Sequence, residues 1–197
     1  AVTITVTAGG GSGTVTLQTT NSYSGMTTIE GGTLKAYYAG SIPGNVTNNG
    51  VLDFYTYATG TYAGVISGTG SVIKEASYNL TMTSQQEYTG GTFIKNGTII
   101  YGTNNLFADD KPVTVSYGGL SLGTYSDTVG VVTLTGGGIY TGTGVLTASN
   151  YDVSVPNGQQ AYMNGNFAGD CGLTQSGSGL LNISGTHSYT GNIAITG

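Results

Sequence analysis

Nine carboxylates are the first candidates for chemistry: Glu30, Asp53, Glu75, Glu87, Asp109, Asp110, Asp127, Asp152 and Asp170. Acid–base cleavage of a polysaccharide needs two or three of them converging on one groove, usually beside Arg or Lys. The chain has no Arg, and its four lysines (Lys35, Lys74, Lys95 and Lys111) are dispersed along it. Only the stacking of a repetitive chain would gather such residues, so the expectation is no enzyme and no catalytic residue. His187 is the single histidine and has no partners for a zinc or nucleophile-activating set; it reads as a surface corner residue. Asp109-Asp110 before Lys111-Pro112 reads as a turn, with calcium ligation as the alternative. Neither metal nor cofactor is expected.

Cys171 is the only cysteine, which excludes an intrachain disulfide. It reads as a small corner residue, with an intermolecular crosslink as the functional alternative. The fifteen tyrosines are the better candidates. Tyr37, Tyr38, Tyr55, Tyr57 and Tyr62 cluster in one segment. Exposed, they would stack on sugar rings or hold rods side by side; otherwise they pack into the core or cover its edges.

The elements that carry these residues are strands. Gly is 36 of 197 residues, without the every-third-residue period of collagen. Thr, Ser, Val, Ile and Tyr fill much of the remainder and favour strands, while Gly and Asn favour tight corners. No apolar run of helical period with caps is present, so almost no helix is expected. Charged residues are 7% of the chain, against roughly 25% in an ordinary soluble domain. Such a surface offers little repulsion against self-association. The net charge of −5 without a basic cluster argues against nucleic acid and anionic membrane as partners. No apolar stretch is long enough to span a bilayer.

The chain repeats itself, and the repeat decides the fold. Val15/Leu17, Leu80/Met82 and Leu181/Ile183 stand eight and six residues before Tyr23, Tyr88 and Tyr189. Ile29, Ile94 and Ile195 follow those tyrosines by six. Period-two alternation separated by Gly-rich corners, with no hairpin signal, describes the coils of a parallel β-helix. Asn96-Gly97 falls at such a corner rather than at a hairpin. Repeat-like segments cover about 11–36, 68–101, 106–155 and 168–197 of one domain. About 20–25 residues per coil would give roughly eight to ten coils stacked at about 4.8 Å.

The pattern Gly-Ser/Thr-Gly, Leu-x-Leu, Tyr-Thr-Gly-Gly-Thr-x-Ile-x-x-Gly-Thr-Leu resembles the passenger-associated repeat of bacterial autotransporters. Residues 112–134 and 142–153 resemble the segment that usually precedes it. The resemblance implies a right-handed parallel β-helix outside the cell or at the bacterial surface, serving as stalk, adhesin or enzyme carrier. The translocating membrane barrel of such proteins is not in this sequence.

The two ends carry a further expectation. Ala1-Val2-Thr3-Ile4-Thr5-Val6 reads as a strand from its first residue, and no signal peptide is visible. After Ile193-Ala194-Ile195 only Thr196-Gly197 remain, so the Gly-Thr-Leu strand of the other copies is missing. Head-to-tail stacking, with residues 1–6 completing or covering the last coil of the preceding copy, would build a filament. A boundary inside a longer passenger is the alternative. Three functions follow: a filament subunit, an adhesin or glycan-binding passenger, and, most remotely, a polysaccharide-active enzyme.

Overall fold

A computed structural model describes residues 3–7 and 13–197. It is an all-β parallel solenoid of about nine turns, with 2% helix. That helix is one 3-10 turn, Ala39–Ser41. Every pairing between strands is parallel, and register partners lie 18 to 24 residues apart. Among the described residues no helix is long and apolar enough to cross a membrane.

Each turn contributes to three faces. The first begins with Ile4–Val6, Thr27–Ile29, Val46–Asn48 and Ile66–Ser67. The second stacks, among others, Thr33–Ala36, Val51–Tyr55, Ser71–Glu75, Thr92–Ile94, Val113–Val115, Leu173–Gln175 and Ile193–Ile195. The third stacks Gly60–Tyr62, Leu80–Met82, Thr98–Tyr101 and Gly119–Ser121, and continues into the long strand Gly137–Val153 and into Gln160–Ala168 and Leu180–Ser184.

Alternation sends every second residue inward, so the core consists of ladders of like side chains. On the third face Leu80, Ile99, Leu120 and Ile139 are successive register partners, all fully buried. On the second face one inward ladder runs Ala36, Phe54, Lys74, Ile94, Val115, Leu134, Val153, Gln175 and Ile195. Two of its members are polar, and both are spent on the corners. Lys74 Nζ donates to the carbonyls of Glu75 (2.6 Å), Ala76 (2.8 Å) and Asn96 (3.3 Å). Gln175 Nε2 donates to the carbonyls of Gly177 (2.8 Å) and Gly179 (3.3 Å). Asn48 works alike on the first face, donating to Ser71 O at 2.9 Å and accepting from Gly50 N at 3.1 Å. Tight corners leave carbonyls with no ladder partner, and buried polar groups must be satisfied. An inward polar side chain just before a corner does that for the turn's own backbone.

The repeated tyrosines act at the same place. Tyr23 and Tyr88 hydroxyls bond to Thr27 Oγ1 (2.6 Å) and Thr92 Oγ1 (2.5 Å), four residues on. The position two residues before each tyrosine is not a surface corner. Gln86 is buried, accepts from Ile66 N at 2.9 Å and donates to Gly64 O at 3.2 Å. Asn21 donates to the carbonyls of Thr19 (3.1 Å) and Ser41 (2.9 Å). His187 corrects its expectation: it is half-buried and stacked on Phe167, its register partner, with centroids 5.1 Å apart. Asn96-Gly97 does form a corner, with Gly97 at φ 66°.

Candidate functional site

Stacking gathers on one side of the second face residues that the sequence disperses. Lys35 and Asp53 are register partners, and so are Tyr55 and Glu75 one turn further on. Lys35 Nζ lies 2.9 Å from Asp53 Oδ2 and 3.4 Å from Glu75 Oε2. Lys95 Nζ lies 2.9 Å from Glu75 Oε1. Two carboxylates on adjacent turns are therefore flanked by a lysine on either side. Lys35 also sits 4.4 Å from the centroid of the Tyr55 ring, a cation–π contact.

Three rings adjoin this ladder. Tyr37 and Tyr57 meet edge to face at 4.8 Å, Tyr55 and Tyr57 stand 5.5 Å apart, and Tyr37 and Tyr55 5.8 Å. Tyr57 is 49% exposed and forms the outer surface of the platform. Partial desolvation, then the fields of Tyr37 and Tyr55, raise its hydroxyl above the ordinary tyrosine range. The Tyr57 hydroxyl thus stays neutral at physiological pH.

Burial opposes the charge on Lys35, but the bond to Asp53 and the charges of Asp53 and Glu75 prevail and raise its ammonium above the ordinary lysine value. Asp53 is raised because burial outweighs its bond to Lys35. Burial also works against ionised Glu75, yet the bonds and charges of Lys95 and Lys35 bring it below the ordinary value. Both carboxylates are committed to lysines. The arrangement can stack a flat apolar ring face and hydrogen-bond hydroxyls around it; neither carboxylate is set up as a general acid facing a free general base.

The expected tyrosine group is thus brought together in part. Tyr37, Tyr55 and Tyr57 form the platform. Tyr38 is half-buried beside them, and its backbone N–H donates to Ser41 Oγ at the 3-10 turn. Tyr62 is a correction: it pairs with Met82 on the inward side, is 2% exposed, packs on Phe54 at 5.2 Å and donates to Gly44 O at 2.8 Å. Alternation put it inside the wall. Sequence reading missed the charged partners, although Lys35, Asp53, Glu75 and Lys95 follow one another at about one coil length, the signal by which they were legible.

Cys171, read as a small corner residue with a crosslink as the alternative, is buried at a bend. It is 7% exposed, and burial, then the charge of Asp170, raise its pKa. A buried thiol held protonated is a poor nucleophile. Asp109-Asp110 is a turn as expected, with Asp110 at φ 62° and its Oδ1 2.8 Å from Lys111 Nζ. Among the described residues no group of three or more potential ligands is placed to hold a metal.

Of the end residues, Ala1 and Val2 lie outside the described residues. Thr3 and Thr5 are exposed, Ile4 is half-buried and Val6 is buried, and Ile4–Val6 pairs with Thr27–Ile29 as the first rung. At the other end Ile193–Ile195 pairs with Leu173–Gln175, and Thr196 N donates to Gln175 O at 2.9 Å. Ala194 is half-buried, while Thr196 and Gly197 are exposed. Ile193 and Ile195 occupy inward positions of their ladders yet are largely exposed, Ile195 to 77%. With Leu173, Leu181 and Ile183 they line a cavity of about 330 Å3 at the open end of the core.

Residues 10–36, 79–100 and 173–197 match the passenger-associated-transport-repeat family. The chain is 35% identical over 138 residues to a protein described as adhesin BmaC autotransporter, from Brucella suis biovar 1 (strain 1330). That similarity covers 70% of this chain and 4% of the adhesin's length. No solved structure matches the chain.

Proposed function

The chain belongs to the autotransporter passenger-repeat family, whose passengers are extracellular or cell-surface, and from that premise we propose that it is an adhesive passenger stretch. The observation that carries this reading is the platform of Tyr37, Tyr55 and Tyr57 beside the Lys35/Asp53/Glu75/Lys95 ladder. Rigid turns hold three rings within 6 Å of one another without chain entropy to lose on binding, which is what ring stacking on a surface glycan requires. The adjoining lysines and carboxylates add hydrogen-bonding groups of both kinds. The work is recognition, not catalysis. Similarity to an adhesin supports the reading, over a stretch that is a small part of that protein.

The test is a glycan array probed with the 197-residue chain and with Tyr57→Ala. Binding by the parent chain that the variant loses supports the assignment. An array on which both behave identically removes it.

A second reading, a filament subunit by head-to-tail stacking, draws on the open coil end, where Ile193 and Ile195 present core positions to solvent. A further coil stacked there would continue both ladders, whether from a second copy or from the same polypeptide. Electron microscopy of the native assembly at high concentration separates them: endwise polymers favour the filament, single rods remove it.

A further inference from the structure

A second aromatic site lies further along the rod, where the chain passes from the second face to the third. Tyr117 stands at that corner, 64% exposed. Tyr140, 40% exposed, follows on the third face, and Tyr162 stands one turn beyond as the register partner of Gly138. The three line one groove of about 310 Å3, at the lower end of the range of small-molecule sites, ~300–1,000 Å3.

The groove is shallow and floored by glycine backbone. Gly119 and Gly138 are register partners in an outward column, with Thr98 on one side and Tyr162 on the other. Without side chains of their own they make room for the Thr98 side chain beside Gly119 and for the Tyr140 ring over Gly138. A Cβ on Gly138 would overlap the hydroxyl end of Tyr140, so the glycine lets that ring lie across the strand. Tyr162 is oriented from behind, its hydroxyl donating to Gln160 Oε1 at 2.7 Å.

The chemistry of the lining selects the ligand. No Asp, Glu, Lys, Arg or His lines the groove. The floor amides are already spent: Gly119 N donates to Gly97 O at 2.8 Å and Gly138 N to Gly118 O at 3.0 Å. A peptide therefore finds no free edge to extend as a strand. What remains is stacking area with a few hydroxyl and amide groups, which suits a pyranose ring. We propose that the groove between Tyr117, Tyr140 and Tyr162 is a binding site for neutral hexose units of a glycan, separate from the Tyr37/Tyr55/Tyr57 platform. It does not rest on the platform's assignment, because the two sites share no residue.

The experiment is calorimetry and saturation-transfer NMR of the whole chain with maltotriose, cellotriose, mannotriose and β-galactotriose, with sialyllactose as the charged comparator. At least one neutral trisaccharide is expected to bind in preference to sialyllactose. Tyr117→Ala and Tyr140→Ala each weaken that binding roughly three- to tenfold, the value of one stacked ring. Both residues are exposed, so melting temperature and circular dichroism stay at parent values. Met26→Ala, at an exposed side chain that belongs to neither aromatic site, leaves the binding unchanged. Absence of binding by all four neutral sugars, preference for sialyllactose, or indifference to both groove variants overturns the proposal.

Discussion

Phe54 and Lys74 are register partners on adjacent turns, and both side chains point into the core with no exposed surface. An aromatic ring and an ammonium thus share one inward ladder. The ammonium survives there because three corner carbonyls surround it, from Glu75, Ala76 and Asn96. Burial still costs it, pulling its pKa from 10.5 to about 8.

That depression makes stability rise with alkalinity over a defined window. Between about pH 8 and 10.5 the unfolded chain binds the proton that folded Lys74 has released, so folding is favoured as pH rises through it. The gain is ~2 kcal/mol after discounting for solvent near the corner. The buried hydroxyls of Tyr62, Tyr88, Tyr101 and Tyr151, raised by burial, work in the opposite direction toward pH 10, so the gain is read as the change in the difference between parent and Lys74→Met from pH 8 to pH 10 in urea unfolding. A difference that does not move in the parent's favour between the two pH values would contradict it.

Asp127 has the opposite sign. Its Oδ2 accepts from Tyr101 Oη at 2.8 Å and Phe107 N at 3.1 Å, but burial prevails over these bonds and lifts it from 3.8 to about 6. Folded Asp127 holds its proton between those values while the unfolded chain has lost it. Stability therefore falls as pH rises from about 4 to 6, by ~3 kcal/mol from this residue. Asp127→Asn keeps an acceptor oxygen for both donors and cannot ionise. The variant should lose this component, read as the difference between parent and variant at pH 4 and pH 6.5.

Lys35→Met should destabilise the chain by ~1–3 kcal/mol at pH 7, because it leaves the buried Asp53 carboxylate without its 2.9 Å partner. The raised pKa of Asp53 sets the direction of rescue: protonation in acid removes the stranded charge, so the deficit shrinks toward pH 4. Thermal melts of parent and variant at both pH values measure it. A deficit that grows in acid would exclude this origin.

Gly97→Ala should cost ~1–3 kcal/mol. The residue sits at φ 66°, and an added Cβ would come within 2.5 Å of Tyr78 O and 2.6 Å of Lys74 Nζ. Gly13→Ala, where a Cβ meets nothing within 4 Å, is the matched control and should stay near parent stability. Equal denaturation midpoints for the two variants would refute the argument.

Much of the solenoid was legible before any coordinates. Leu80/Met82, Tyr88 and Ile94 repeat with Gly-rich corners between them, and period-two alternation has one way to bury its apolar half in a chain with no hairpin signals. Strand type, parallel stacking and the number of turns are all local or periodic properties, and local chemistry dictates them.

Which residues become neighbours across turns was decided by register. A one-residue slip moves a side chain from wall to core. That is why Tyr62, grouped by sequence with Tyr55 and Tyr57, lies inside, and why His187 stacks on Phe167 instead of facing water. Turn length varies between 18 and 24 residues, so the meeting of Lys35 with Asp53 and Glu75, and of Tyr117 with Tyr140 and Tyr162, depends on where each corner spends its extra residues. The repeat determined the rod; the register of its turns decided what the rod displays.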